Sequence, residues 1–277
     1  MIITTSDGVN LFIEKEGSGF PCIYLHGGPG YWSKSFQHFV GKSLEEDLEM
    51  IYLDQRGCGR SSLAANRDYS LERLLEDLEE VRVQLKIKEW YVMGHSFGAL
   101  LAVNYANSHP KSVKGLMLSN GTLDMKESFT HQVLQGRKLL GMDELEPPGN
   151  NVPELVDSFF FTALQLMEKN LFYQLQFTSL ADKEKMDAID EELESQPDFQ
   201  QYIFSNEEYF QDFRSLTSSI TKPVLVLSGK YDDAIGPDHQ EAFHFENATY
   251  IQLDSGHHPY VDCSYEFQKA VLDFIRG

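Results

Sequence analysis

Cysteine and long apolar runs are both scarce in this sequence. Its three cysteines, Cys22, Cys58 and Cys263, are widely separated and odd in number, which argues against a disulfide framework and fits no metal-ligand spacing. No stretch approaches the roughly 18 consecutive apolar residues that a membrane helix needs. The first residues contain no basic segment, apolar core or small-residue cleavage site, so the sequence predicts no export signal and a cytoplasmic location.

Basic residues are also in the minority, because 23 lysines and arginines face 43 aspartates and glutamates, for a formal net charge of −20. Such a surface repels phosphate backbones and anionic membranes, which argues against nucleic acid and membranes as partners. The same field would attract a cationic substrate, such as a peptide with a free amino terminus. A purely solubilising role for the acidic residues is the simpler interpretation of the charge.

The first 120 residues alternate between strand and helix patterns. A hairpin turning at residues 6–8 is followed by short apolar runs typical of buried strands. Between them, apolar residues at helical spacing predict helices, the first of which has Ser70 as its N-cap. Buried strands alternating with helices predict an α/β fold with a mostly parallel central sheet covered by helices on both faces. The predicted strands are 10–14, 21–25, 50–53, 90–93 and 113–118, and the predicted helices are 70–86 and 97–108.

The pattern changes near Thr122, where strand-like runs stop for about 90 residues. The segment 122–215 holds 19 acidic and 7 basic residues, and its clearest predicted helices are 155–170 and an acidic one at 182–194. Strand patterns return at 223–227 and 249–253, and a last helix is predicted at 265–275. We therefore expect a catalytic domain formed by 1–121 and 216–277, with 122–215 inserted as a helical cap over the site. No linker or internal repeat marks an independent second domain.

Residues 94–98 read GHSFG and match the pattern G-x-S-x-G. The match follows a predicted strand and opens a predicted helix, which is the context of a nucleophile elbow. Such a turn leaves no room for side chains at Gly94 and Gly98, and it points the hydroxyl of Ser96 out of the sheet above a helix N-terminus. Ser96 is therefore the candidate nucleophile.

A serine hydroxyl needs a base at neutral pH, and the base needs an acid that orients it. In a fold of this kind the order along the chain is serine, acid, histidine. The strand 223–227 leads into Asp232 and Asp233. Asp232 is preferred as the acid because its spacing from Gly229 fits a G-x-x-D turn, and Asp233 stays open as the alternative.

The candidate base follows the next predicted strand, 249–253, which leads into His257 and His258. His257 is preferred because it directly follows Gly256, and His258 stays open as the alternative. Both loops leave strand ends at the edge where Ser96 lies, which is where α/β folds bind ligands. Two other histidines follow no predicted strand at this edge: His131 and His244.

Acyl transfer also needs two backbone N–H donors for the oxyanion of the tetrahedral intermediate. The first donor is predicted to be Phe97, the residue after the nucleophile. The second is expected from the glycine-rich loop 26–30, of sequence HGGPG, and Gly28 is the best candidate. Glycines allow the backbone to approach a substrate carbonyl closely.

These motifs together resemble the proline iminopeptidase (prolyl aminopeptidase) branch of the α/β-hydrolases. The resemblance is carried by the HGGPG loop at 26–30, the sequence DQRGCGRS at 54–61, the elbow at Ser96, the GKYD loop at 229–232 and the pair Gly256 and His257. It covers the catalytic domain at both ends of the chain and says little about the insertion.

The resemblance implies a serine peptidase that removes an amino-terminal residue, often proline, from short peptides or amino-acid amides. It implies a helical cap over the site and no metal or organic cofactor. Cap glutamates bind the free amine of the substrate in this family. Glu207, near the end of the cap, is the residue to which we carry over that role, although a solvated acidic pair is the simpler interpretation of Glu207 and Glu208.

Several residues depart from the family pattern. His95 and Phe97 flank the serine where the family commonly has a small residue and a tryptophan, and both tryptophans of the chain precede the cap. His95 and Phe97 are typical of ester and C–C bond hydrolases, so an esterase, lactonase or C–C bond hydrolase with the same triad is the alternative. A non-catalytic binding protein on this scaffold is the third hypothesis, but such proteins usually lack a triad member.

Overall fold

The structure is a computed structural model, which describes residues 1–142, 148–149, 151–194 and 196–277. Within these ranges, eight strands form one sheet in the order β1-β2-β4-β3-β5-β6-β7-β8. The strands are β1 (Ile2–Thr4), β2 (Asn10–Gly17), β3 (Phe20–Leu25), β4 (Leu48–Leu53), β5 (Trp90–His95), β6 (Val113–Ser119), β7 (Val224–Gly229) and β8 (Ala248–Leu253). The helices are α1 (Lys34–Leu44), α2 (Leu71–Gln84), α3 (Phe97–Ser108), α4 (Met125–Leu139), α5 (Val152–Glu168), α6 (Leu180–Asp190), α7 (Pro197–Ser205), α8 (Pro259–Asp262) and α9 (Ser264–Arg276).

The sheet is parallel from β4 to β8 in its spatial order, and β2 near one edge pairs antiparallel with both of its neighbours, β1 and β4. Strand β5 lies between β3 and β6, with Gly94 paired to Leu25 on one side and to Leu118 on the other. Because parallel strands end at the same edge, the loops that follow β3, β5, β6, β7 and β8 all meet there. The prediction of a mostly parallel α/β sheet is confirmed.

Helices cover both faces of the sheet. Successive residues of β5 point to opposite faces, so Val92 packs into a core with α2 and α3, whereas Met93 packs into a second core with α1 and α9. Every residue of β5 is buried, which explains the run of apolar residues with which the strand begins. The central strand that carries the candidate nucleophile is thus fixed from both sides.

The predicted helix at 70–86 is present as α2, and the Ser70 hydroxyl accepts a hydrogen bond from the Arg73 amide, as an N-cap does. The predicted acidic helix at 182–194 is α6, which begins and ends earlier in the chain than expected. Four of the described helices were not predicted: α1, α4, α7 and the short α8.

Between β6 and β7 the described residues form helices and short 3₁₀ turns without a strand. None of the helices in the described ranges has the length and apolarity to cross a membrane.

The loop at 54–61 is held by buried ionic contacts. Arg56 is fully buried, and its guanidinium donates to Asp77 at 2.6 Å and to Asp7 at 2.9 Å. Asp54 accepts hydrogen bonds from the Ser33 amide at 2.8 Å and from Arg60 Nε at 2.7 Å. The charged groups of this loop therefore bind each other and the neighbouring chain, and their role is structural.

We predict that Arg56→Ala lowers the free energy of unfolding by about 3 kcal/mol, because the buried Asp77 carboxylate keeps Arg73 as a partner but loses both hydrogen bonds from Arg56. Chemical denaturation at pH 7 measures the change. Lys269→Ala is the control, since its ion pair with Asp273 is exposed on both sides and should contribute nothing measurable. Equal unfolding midpoints for the two variants would contradict a stabilising role for Arg56.

Candidate active site

Ser96 lies in a strained turn at the carboxyl end of β5. Its φ is +54° and its ψ is −122°, a conformation that residues other than glycine rarely adopt. The Ser96 amide donates to the Ser119 carbonyl at 3.1 Å, and its carbonyl accepts from the Ala99 amide at 3.0 Å. A Cβ atom at Gly98 would lie 2.1 Å from the Leu25 carbonyl oxygen, so only glycine permits this approach. The strain is therefore held by the sheet and by α3.

His257 and Asp232 are paired at the same edge of the sheet. His257 Nδ1 lies 2.9 Å from Asp232 Oδ2, and both residues are buried. Asp232 Oδ1 accepts from the amides of Ala234 and Ile235 at 3.0 and 3.1 Å. Because the carboxylate only accepts, Nδ1 carries the proton and Nε2 keeps a free lone pair. Ser96 and His257 both line the same two cavities.

The neighbours of these residues have other partners. Asp233 accepts from His131 Nε2 at 2.8 Å on the more exposed side of its loop. His258 contacts the Tyr260 hydroxyl at 2.9 Å and stacks on Phe177. These contacts favour Asp232 over Asp233 as the acid, and they favour His257 over His258 as the base.

Asn120 connects the two loops that carry the acid and the histidine. Its side-chain amide donates to Asp232 Oδ2 at 2.8 Å and to the Gly256 carbonyl at 3.1 Å. Asn120 follows β6 directly, with a φ of +48°, a conformation that asparagine tolerates better than most residues. Asn120 was not among the candidate residues predicted from the sequence. A polar residue directly after the strand next to β5 was the signal that could have found it.

The two candidate oxyanion donors lie beside the serine. Phe97 is the first residue of α3, so its amide has no partner within the helix. Gly28 lines both cavities together with Ser96, and its φ of +115° requires glycine. A Cβ atom at Gly27 would lie 2.7 Å from Ser96 Cβ, which shows how closely this loop approaches the serine.

Three other histidines near the site are held neutral. Burial lowers the pKa of His26, His95 and His258, in the last two well below the usual value for histidine. His95 Nδ1 donates to the Ser119 carbonyl at 3.1 Å, and its ring lies 4.8 Å from that of His257. An imidazole that resists protonation is a poor general base at neutral pH. These three histidines therefore pack the site, and His257 is the candidate for proton transfer.

The larger cavity, of about 810 Å³, has an acidic wall from α6. Glu184, Asp187 and Asp190 line it. Asp190 accepts hydrogen bonds from the Tyr31 hydroxyl at 2.6 Å and from Trp32 Nε1 at 3.0 Å. Asp187 forms an ion pair with Lys183, whereas Glu184 forms no ion pair within the described residues. Lys183 lines the same space, so α6 contributes three carboxylates and one cation to the cavity that contains Ser96.

Glu207, the residue expected to bind a substrate amine, does not lie in this space. It is exposed at the start of a 3₁₀ turn, Glu207–Phe210, and it lines neither cavity around Ser96. Its neighbour Glu208 accepts from the Leu71 amide at the start of α2. The geometry does not support the expectation for Glu207, because this segment packs on α2 and the carboxylates in the lining of the larger cavity come from α6.

A parallel sheet with a serine elbow after its central strand, and an aspartate–histidine pair after its last two strands, defines the α/β-hydrolase class. Residues 21–262 match the family model for the α/β hydrolase fold. The chain therefore belongs to the α/β hydrolase fold family and is a hydrolase of that superfamily.

Proteins similar to this chain include peptidases and esterases. A proline iminopeptidase of Heyndrickxia coagulans is 26% identical over 95% of this chain and 93% of its own length. The crystal structure of a proline iminopeptidase-related protein from Thermus thermophilus superposes with a TM-score of 0.82 at 20% identity, covering 100% of this chain and 97% of that one. An esterase from Exiguobacterium antarcticum gives a TM-score of 0.74 at 21% identity, with coverage of 100% and 99%. At these identities the structural likeness establishes the fold alone.

We predict that Asp232→Asn slows the labelling of Ser96 by a fluorophosphonate probe by up to about ten-thousand-fold, because the imidazole loses the partner that fixes its tautomer. Asp233→Asn is the matched control, since that carboxylate binds His131 instead, and its labelling rate should stay close to that of the unaltered protein. Mass spectrometry of the labelled peptide measures both rates. A loss confined to Asp233→Asn would reverse the choice of acid.

Proposed function

We propose that this hydrolase releases the amino-terminal residue of short peptides or amino-acid amides through an acyl-enzyme on Ser96. The observation that carries the proposal is the acidic cavity that opens directly onto Ser96 and His257. The similarity to the Heyndrickxia coagulans proline iminopeptidase over nearly the whole chain supports the same interpretation.

In this mechanism Ser96 Oγ attacks the substrate carbonyl carbon while His257 Nε2 accepts the hydroxyl proton. The carbonyl oxygen becomes an oxyanion and accepts hydrogen bonds from the amides of Gly28 and Phe97. The imidazolium is stabilised by Asp232 and returns the proton to the leaving amine, which breaks the amide bond. Water then attacks the acyl-enzyme with His257 as its base, and the amino acid is released with Ser96 restored.

The acidic wall of the cavity gives this reaction a preference for a free amine. A protonated amine has three N–H donors and a positive charge, which suit carboxylate oxygens. Asp190 is fixed by neutral donors from the chain near α1, so its negative charge is not cancelled by them. Glu184 and Asp190 are the carboxylates on this wall without an ion-pair partner among the described residues. We assign Glu184 and Asp190 to the amine and retain no role for Glu207.

Ester or C–C bond hydrolysis is the second candidate, and a specific observation favours it. His95 and Phe97 flank the serine, and Phe97 lines a second, aromatic cavity beside Ser96. The esterase from Exiguobacterium antarcticum shares the fold over nearly its whole length. The same serine, histidine and aspartate would act on an acyl ester or a lactone without any contact to an amine.

We predict that amino-acid arylamides, including that of proline, are cleaved at least about tenfold faster than their N-acetylated counterparts, in kcat/KM, because acetylation removes the charge that the carboxylates bind. Glu184→Gln should raise KM for the free-amine substrates while leaving kcat nearly unchanged. Glu207→Gln is the control and should change neither constant. Release of the arylamine dye measures all of these rates.

The outcome that would reject the proposal is rapid cleavage of short acyl esters together with no turnover of any amino-acid arylamide. In that case the ester hydrolase would replace the peptidase. Ser96→Ala should abolish activity under either function, so it serves to confirm that the measured turnover belongs to this site.

A further inference from the structure

A second compartment, of about 350 Å³, opens onto the same serine and histidine. Its lining contains no aspartate, glutamate, lysine or arginine among the described residues, in contrast to the acidic wall of the larger cavity. The two spaces meet at Ser96, His257 and Gly28, which line both. A substrate whose carbonyl lies at Ser96 can therefore extend one end into each compartment.

The wall of this compartment is an ordered aromatic cluster from α4, α5 and α7. Phe129 stacks on Phe159 with ring centroids 4.4 Å apart, and it meets Phe204 edge to face at 5.3 Å. Phe160 completes the cluster by packing edge to face on Phe204 at 5.5 Å. Aromatic rings that already pack on one another form a fixed apolar surface, which favours a large apolar group as the ligand.

The polar side chain of Gln132 belongs to this lining as well. Gln132 on α4 is only 8% exposed, lines the compartment, and makes no hydrogen bond within the part of the chain that the structure describes. Its carboxamide both donates and accepts hydrogen bonds, and it faces the space of the compartment. A ligand that brings an amide or carbonyl group into the aromatic space would satisfy it.

We propose that this aromatic compartment is the subsite for the leaving group, and that it selects peptides whose second residue is large and apolar, with the following amide bonded to Gln132. The inference rests on the proposed function. The α-amine lies on the acyl side of the scissile bond, so its binding at the acidic wall leaves the aromatic compartment for the other side. Because the described lining of the compartment has no cationic side chain, it suits a neutral continuation of the chain better than a free carboxylate.

The test uses the full chain and three dipeptide amides. All three begin with the same residue, X, which is the amino acid whose arylamide is cleaved fastest. The substrates X-Phe-NH₂ and X-Leu-NH₂ should exceed X-Gly-NH₂ in kcat/KM by at least about tenfold, because burial of the larger side chain is lost with glycine. Equal values for the three substrates would overturn the proposal.

Two variants connect the preference to the compartment. Ala163→Phe places a ring in the space that Ala163 lines on α5, and it should bring the ratio of X-Phe-NH₂ to X-Gly-NH₂ close to one. Gln132→Leu keeps a similar volume without the amide, and it should raise KM for X-Phe-NH₂ by about fivefold. Leu164→Phe is the matched control, since Leu164 is on the same helix but is exposed and lines neither cavity. A preference that survives both test variants would also overturn the assignment.

An ester series separates this inference from the proposed peptidase function. Benzyl acetate and ethyl acetate differ in the leaving group, whereas ethyl phenylacetate and ethyl acetate differ in the acyl group. A preference for benzyl acetate that Ala163→Phe removes supports the leaving-group subsite even if no amino-terminal substrate is cleaved. A preference for ethyl phenylacetate that the same variant removes would place the acyl group in the compartment and overturn the proposal.

Discussion

The side-chain amide of Asn120 holds together the two loops on which the candidate acid and base lie. It donates to the Asp232 oxygen that also contacts His257, and to the carbonyl of Gly256 beside that histidine. One short side chain after β6 thus fixes the carboxylate rotamer and the position of the imidazole loop. The arrangement depends on the register of β6, β7 and β8, because a slip of one residue would move a strand end by about 3.3 Å and reverse its side chains.

The strain at Ser96 depends on the same sheet. Its positive-φ backbone is held by the Ser119 carbonyl of β6 and by the close approach of Gly98 to the end of β3. A strained serine persists only where the surrounding structure over-determines it. Ser96, Asp232 and His257 are consequently positioned by strand ends of one sheet, whereas helices between β6 and β7 line the cavities beside them.

This division explains which residues the sequence could predict and which it could not. Ser96, Asp232 and His257 could be singled out because each follows, within a few residues, a short run whose local sequence pattern predicts a strand. The segment between β6 and β7 was harder to predict, because helical spacing shows which face of a helix is apolar but not which part of the protein that face covers. Helix α6 has the sequence of a solvated helix, yet Asp190 reaches back to Tyr31 and brings carboxylates to the cavity of Ser96. Such contacts join residues far apart in the chain and have no local pattern.

A serine, histidine and aspartate triad serves amides and esters alike, so we expect the choice of substrate to come from the residues around the candidate triad. Such a triad contacts the reacting carbonyl, which both classes of substrate share. The two substrate classes differ in how they use the two cavities beside that carbonyl. The larger cavity has carboxylates from α6 in its lining. The smaller cavity is lined by phenylalanines and by the amide of Gln132, which has no hydrogen-bond partner among the described residues. An ammonium gains from the first and an apolar group from the second, whereas a small neutral ester gains from neither. A peptide with a free amine and a large second residue is the molecule that uses both, which is why the two compartments together argue more strongly for a peptidase than either does alone.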